Sequence, residues 1–478
     1  MKKIAVILFT LVLFIACNDK KGQANLAEQV QAEALAPMNS DVMETAVIYE
    51  ANIRQYSQQG TFDEFTKDIP QLKQLGVKII WLMPINPISV TKRKATGGDF
   101  ASKIEDETER AKMLGSYYAV SDYTKINPEF GTLEDFRELV KTAHDNGIYV
   151  ILDWVPNHTG WDHNWIKEHP DFYVKNADGE ITDPLNDDGT SKGWGDVAQL
   201  DYSNMAMQEQ MIKDMMYWVE KEQVDGFRCD HIQPVPVSFW EKAIPQLNEK
   251  RALFWLAEND EPRFMKANLF DMEYGWKQHH LMNRIAQGSN SLEDFDSLTE
   301  YIASDFEKDD ILMNFVTNHD ENSWAGTVEE RLGDASEVMT VFSYMVPGMP
   351  LIYSGQEYNL NHRLKFFEKD SIPKTKGTMW PLLEKLGKLK NENIALNGGK
   401  KAASSERIKT DNKNILIYTR SKGDQTILFV ANLSSDEQEL NYMPQGTFLN
   451  YMNDEEVNYT DSGIIKLNPW EYKILIMK

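Results

Sequence analysis

Short apolar runs that close on a polar or charged side chain recur along this chain, with amphipathic helical stretches between them. Ile-Tyr-Val-Ile-Leu-Asp (148–153), Leu-Phe-Trp-Leu-Ala-Glu (253–258) and Ile-Leu-Met-Asn-Phe-Val-Thr-Asn-His-Asp (311–320) are the clearest. Alternation of β-run and helix is the pattern of βαβ units and a parallel sheet. When such a sheet closes into a barrel, the carboxyl ends of its strands meet at one mouth, where these folds keep their chemistry. A closed parallel α/β barrel is therefore the expected architecture.

A fourth run, Asp-Gly-Phe-Arg-Cys-Asp (225–230), places Arg228 and Asp230 two residues apart. Side chains alternate along a strand, so the two share one face while Phe227 and Cys229 take the other. A guanidinium keeps its proton and lowers the pKa of a neighbouring carboxyl, which suits a nucleophile kept ionised. A structural ion pair at a strand end would look the same, and the other charged strand ends are what favour a site.

These segments resemble the α-amylase family, glycoside hydrolase family 13. Asp-Trp-Val-Pro-Asn-His (153–158) and Gly-Phe-Arg-Cys-Asp (226–230) are similar to its first two signature regions. Trp-Leu-Ala-Glu (255–258) and Thr-Asn-His-Asp (317–320) are similar to the third and fourth. Residues 46–56 resemble its first barrel strand, 118–123 a substrate-stacking loop and 350–357 its eighth strand. The resemblance implies a (β/α)8 TIM barrel over 45–396, a small domain B at about 155–204 after strand 3, and a C-terminal antiparallel β-sandwich over 397–478.

Retaining cleavage of a glycosidic bond needs one ionised carboxylate and one protonated carboxyl, about 5 Å apart across the bond. Asp230 as nucleophile and Glu258 as acid and base fit those roles, with Arg228 holding Asp230 charged. Burial and neighbouring carboxylates are expected to hold the proton on Glu258. The resemblance makes Asp320 the group that grips sugar hydroxyls and supports the transition state. It makes His158 and His319 hydrogen-bond donors to the same ring, Asp153 a supporting acid and Tyr118 a ring platform. Many α-amylases carry Lys and His three and four positions after the nucleophile, where this chain has Gln233 and Pro234. That removes a cationic contact to the leaving sugar and weakens the case for calcium, although Asn157 still offers a ligand oxygen. No cofactor is required, and calcium is left open.

Between the signatures, a strand is expected at about 46–54, a helix at 62–75 stopped by Gly76, and a strand over Val77–Leu82. Thr132 and Asp135 form a capping signal for the helix that Gly147 ends. Strands four to eight are expected near 226–230, 253–258, 269–272, 311–316 and 350–353, and the last barrel helix near 378–393. A hairpin of 414–420 and 425–433 opens the C-terminal domain. Trp161, Trp165, Trp194 and Trp324 fall in mouth loops, where packing is the first expectation for each. Lys92 to Lys94 and Glu105 to Lys112 read as a solvated charged insertion.

The chain has 478 residues, more than one core usually supports. Its 50 Lys and Arg against 74 Asp and Glu give a net charge of -24, which disfavours nucleic acid and anionic lipid and suits a neutral polymer. Residues 1–17 read as an export signal, with Lys2, Lys3 and an apolar run to Ala16. Leu13 to Cys17 resembles a lipobox, so Cys17 is the expected lipidation site and 18–44 a flexible tether. The function expected is retaining hydrolysis of internal α-1,4 bonds in starch or maltodextrin by an exported, membrane-anchored lipoprotein. The alternatives are a cyclomaltodextrinase- or neopullulanase-like hydrolase, a transglycosylase, or a non-catalytic glucan-binding lipoprotein.

Overall fold

In a computed structural model, which describes residues 35–459 and 464–478, the β-α alternation closes into a ring of eight parallel strands. These are β1 (Val47–Ala51), β2 (Val77–Leu82), β3 (Tyr149–Trp154), β6 (Gly226–Cys229), β7 (Phe254–Ala257), β8 (Met272–Tyr274), β9 (Ile311–Asn314) and β10 (Met349–Tyr353). β10 pairs with β1 to close the ring. Two further strands, β4 (His158–Gly160) and β5 (Val197–Gln199), pair antiparallel inside the excursion that follows β3. The expected signal segment 1–17 with Cys17, and the expected tether as far as Ala34, lie outside the described residues. Among the described residues no helix is long and apolar enough to cross a membrane.

Strand alternation sorts the side chains into two cores. Ile48, Trp81, Ile151, Leu256, Met272 and Met313 fill the barrel interior. Their odd-even partners, such as Val47, Ile80, Leu152, Phe227 and Trp255, face the surrounding helices. The same parity carries Glu50, Asp153, Arg228 and Glu258 inward at the carboxyl ends of β1, β3, β6 and β7. Gly226 lets β6 lie tight against β7: a Cβ there would stand 2.0 Å from the Phe254 carbonyl oxygen.

Several boundaries differ from the sequence reading. The helix expected at 62–75 is two, Phe62–Thr66 and Ile69–Gln74, because Pro70 has no N–H to continue the first and sits at the start of the second. β1 ends at Ala51, and Asn52 caps a helical turn over Ile53–Tyr56. The sixth barrel strand starts late, at Met272, after Asn268 turns with φ 53°. The capping box of Thr132 and Asp135 opens the helix Leu133–Asp145 as expected.

Packed structure begins before residue 44, the expected limit of the tether. Asn39 caps a helix over Ser40–Thr45. Met38 and Met43 are buried in the barrel-interior cluster. The Glu44 carboxylate accepts from the Gly399 and Lys401 N–H groups. Two apolar side chains able to fill the floor of the barrel outweigh the polar composition around them.

The C-terminal domain is a six-stranded antiparallel sheet in the order β11-β12-β13-β18-β15-β16, with a two-stranded β14-β17 partner. Its strands are β11 (Ser404–Ile408), β12 (Ile415–Lys422), β13 (Gln425–Asn432), β14 (Gln438–Leu440), β15 (Gly446–Asn450), β16 (Glu455–Tyr459), β17 (Ile465–Leu467) and β18 (Tyr472–Met477). Leu428 and Val430 of β13 pack with Leu440 and Leu467 inside the sandwich. Ile427 and Phe429 face the other way, into the core shared with the barrel helices. Buried Arg420 donates to the carbonyls of Met345 (3.1 Å) and Asn397 (2.6 Å), joining the two domains.

Candidate active site

The inward residues at the strand ends meet around one guanidinium. Arg228 is fully buried; its Nη1 donates to Asp153 Oδ1 and Asp230 Oδ1, both at 2.8 Å. Its Nη2 lies 3.0 Å from Glu258 Oε2, a charge contact without hydrogen-bond alignment. Its Nε donates to Tyr274 Oη at 3.1 Å. Asp230 and Glu258 thus sit on neighbouring nitrogens of one planar group, each partly open to a cleft of about 860 Å³.

A second chain of contacts crosses the same floor. Glu50 Oε1 lies 2.6 Å from His319 Nδ1, and His319 Nε2 lies 2.8 Å from Tyr118 Oη. Tyr118 donates in turn to Asp153 Oδ2 at 3.1 Å, which also accepts from Trp81 Nε1 at 3.2 Å. Burial alone would lower the His319 pKa, but Asp320 and Glu50 outweigh it and raise it to about 9. His319 is therefore an imidazolium at neutral pH. Asp320 lies 3.4 Å from His319 Nε2 and accepts from Trp324 Nε1 at 3.2 Å. Burial lowers His158 to about 3, so that ring is neutral.

The structure brings Asp153, Arg228, Asp230, Glu258, His319, Asp320, Tyr118 and His158 to one site; all but Asp153 and Arg228 line the cleft itself. The charge distribution differs from the sequence reading. Burial, with Glu258 and Asp153 close by, raises Asp230 well above the usual carboxylate range despite Arg228. Glu258, against a burial effect that would raise it, is held low by Arg228 and by the His231 N–H that donates to Oε2 at 2.8 Å. The sequence placed Arg228 beside Asp230 but could not show that the guanidinium also reaches Glu258. Such closely set carboxylates titrate as a unit.

Three participants escaped the sequence reading. Glu50 carries the signal that marked the others, an acid near the end of an apolar strand. Trp81 carries none beyond its place in β2. Lys192 reaches in from the excursion, with Nζ 3.3 Å from His231 Nε2 and near the Trp194 ring. It brings a cation to the flank where Gln233 and Pro234 follow Asp230. Lys94 is not a solvated charge as expected; it pairs with Asp196 at 3.3 Å and lines the cleft. Trp165 is buried and Trp161 packs under Lys92, whereas Trp194 and Trp324 line the cleft.

Asn157 spends its amide on His158 Nδ1 at 3.1 Å. Among the described residues no group of three or more His, Cys, Asp or Glu side chains is placed to hold a metal ion.

Barrel, excursion and carboxylate ring together define an enzyme with its ionisable groups gathered at the carboxyl ends of the barrel strands. The α-amylase catalytic-domain profile matches residues 38–268, and the C-terminal domain profile of maltogenic amylases matches 406–474. The chain belongs to the α-amylase family, glycoside hydrolase family 13, a family of glycoside hydrolases and transferases. It is 24% identical to an α-amylase of Haloarcula japonica over 84% of this chain and 57% of that one. It is 26% identical to the α-1,4-glucan:maltose-1-phosphate maltosyltransferase of Rhodospirillum rubrum over 78% of this chain and 54% of that one. The chain thus spans little more than half the length of these two relatives. A noncanonic maltogenic α-amylase of Thermotoga neapolitana superposes with a TM-score of 0.78 at 28% identity, over 91% of this chain and 99% of that one.

Glu50→Gln removes one of the two anions that hold the proton on His319. Its titration, followed by NMR of histidine-labelled protein, should move down from about 9 toward the ordinary value. An unmoved titration would show that Glu50 does not support the imidazolium.

Proposed function

We propose that this enzyme hydrolyses internal α-1,4-glucosidic bonds of starch and maltodextrins with retention of configuration. The observation that carries this reading is the placement of Asp230 and Glu258 on one guanidinium, which suits the separation of about 5–5.5 Å that a retaining pair uses. Asp230 attacks the anomeric carbon as Glu258 gives its proton to the glycosidic oxygen, and the aglycone leaves with its hydroxyl restored. Glu258, now ionised, takes a proton from water; the hydroxide adds to the anomeric carbon and Asp230 departs. Asp230 and Glu258 share one proton among coupled groups. Positive charge developing on the sugar favours ionised Asp230, so the proton resides on Glu258 when the bond breaks.

In this reading Asp320 holds sugar hydroxyls and stabilises the developing cation, with the His319 imidazolium fixed beside it. Tyr118 presents its ring to the reacting sugar, and His158, Asp153 and Arg228 complete the floor. Trp194 and Trp324 flank the cleft at positions where apolar sugar faces can stack. Transglycosylation is the second reading, favoured by the similarity to a maltosyltransferase.

Glu258→Gln should lose about 10²–10⁴-fold in kcat on amylose yet still turn over an α-maltosyl fluoride, whose leaving group needs no acid. Asp230→Asn should fail on both substrates, and the first product of the wild type should be the α-anomer by NMR. Unchanged activity in either variant, or a β-anomer, would end this reading. Maltose added as acceptor yields longer saccharides if transfer prevails.

The Lys2–Cys17 segment supports a further proposal, that the enzyme is exported and lipid-anchored at Cys17 on the periplasmic or cell-surface side. Cys17→Ser should abolish metabolic labelling by palmitate and release the enzyme from the membrane fraction. Labelling that persists would place the anchor elsewhere.

A further inference from the structure

A buried acid and amide stand directly behind the turn that carries Glu258. Glu273 is the register partner of Ala257 across β7 and β8. Its neighbours Met272 and Tyr274 fill the barrel interior, so Glu273 faces outward, toward the helices. Asn259 follows Glu258 immediately. Both side chains are completely buried, and neither touches the cleft.

The hydrogen-bond accounting between them is incomplete in an informative way. Asn259 Nδ2 donates to Glu273 Oε2 at 2.9 Å and to the Glu261 carbonyl, which uses both of its hydrogens. Glu273 Oε1 and Asn259 Oδ1 remain without a partner. Two buried acceptors in one pair satisfy each other only if one carries a hydrogen, and of the two only a carboxylic acid can. The space beside Glu273, about 20 Å³, admits no more than about one water.

The surroundings favour the acid. Asp260 from the turn after β7 and Asp310 from the turn before β9 face Glu273 with negative charge, and Tyr301 lines the same space. Lys277 is the cation facing it, and its Nζ is engaged by the Asp260 carbonyl at 3.0 Å. Burial first, then Asp260 and Asp310, raise Glu273 to about 8.

We propose that Glu273 is a positioning residue for Glu258: protonated, it closes a two-bond ring with Asn259, Nδ2–H to Oε2 and Oε1–H to Oδ1, and fixes the turn that aims the Glu258 carboxyl. This rests on the reading of Glu258 as acid and base. Loss of the proton opposes two oxygens in a site with room for about one water and frees the turn. The folded protein binds a proton that the unfolded chain releases near 4.5, so this contribution to stability is complete below that value and is lost as pH rises through about 8.

Glu273→Gln tests the proposal, because its amide rebuilds the ring with Nε2–H donating to Asn259 Oδ1 at every pH. In the wild type, kcat should fall through about pH 8 with KM little changed, while Glu273→Gln should extend the plateau by a pH unit or more. The variant should also lose the decline of Tm between about pH 5 and 8, and the infrared band of a buried protonated carboxyl should vanish from it. Glu273→Leu, which cannot form the ring, should lower kcat about ten- to a hundredfold throughout. An unchanged infrared spectrum and Tm profile in Glu273→Gln would show that Glu273 is ionised and overturn the proposal. A changed Tm profile with an unchanged alkaline limb of kcat would overturn the positioning role. Activity retained in Glu258→Gln would instead overturn the assignment of Glu258, with the infrared and Tm outcomes for Glu273 unaffected.

Discussion

A fully buried guanidinium is tolerated only when anions surround it, and Arg228 has three within hydrogen-bond or ion-pair distance. Removing one partner from a buried ion cluster of this kind typically costs about 3–5 kcal/mol, because the charge left behind is uncompensated. The cluster therefore constrains the fold as much as the chemistry. β3, β6 and β7 must lie in adjacent register for Asp153, Arg228 and Glu258 to converge. Gly226, with no side chain to hold β6 away from β7, permits that approach.

The arrangement also explains why protonation cannot be assigned one carboxyl at a time. Arg228 supplies one positive charge to Asp153, Asp230 and Glu258, and burial opposes ionisation of each. Across the floor, Glu50 and Asp320 place a second cation on His319, joined to the first through Tyr118 and Asp153. Two cations and five carboxylates form one electrostatic unit at the mouth of the barrel. In the proposed reaction, a sugar that develops positive charge there meets a field already oriented for it, which is how a rigid barrel contributes to transition-state stabilisation.

The barrel and the grouping of its acids were legible because strand alternation is a strict rule. An acid at the right parity near the end of an apolar run must point into the barrel mouth, as Asp153, Glu258 and the overlooked Glu50 all do. What sequence could not supply is proximity between residues far apart along the chain. That Arg228 touches Glu258 as well as Asp230 reverses the expected order of their pKa shifts, and only tertiary geometry reveals it. Lys94 looked solvated because charge runs in loops usually are, yet it pairs with Asp196 of the excursion and lines the cleft. Met38 and Met43 were hidden in a polar segment for a related reason: two isolated methionines give no periodicity, but a barrel floor needs two apolar side chains to fill it.

The division of labour between Asp230 and Glu258 is the centre of this account. It is tested most directly by trapping the covalent intermediate with a fluorinated α-glucosyl fluoride that forms the glycosyl-enzyme faster than it is hydrolysed, followed by peptide mass spectrometry. The account predicts a single glycosylated peptide containing Asp230, labelled in the wild type and absent in Asp230→Asn. A label on Glu258 or Asp320, or steady hydrolysis with no covalent adduct and an inverted product, would contradict it.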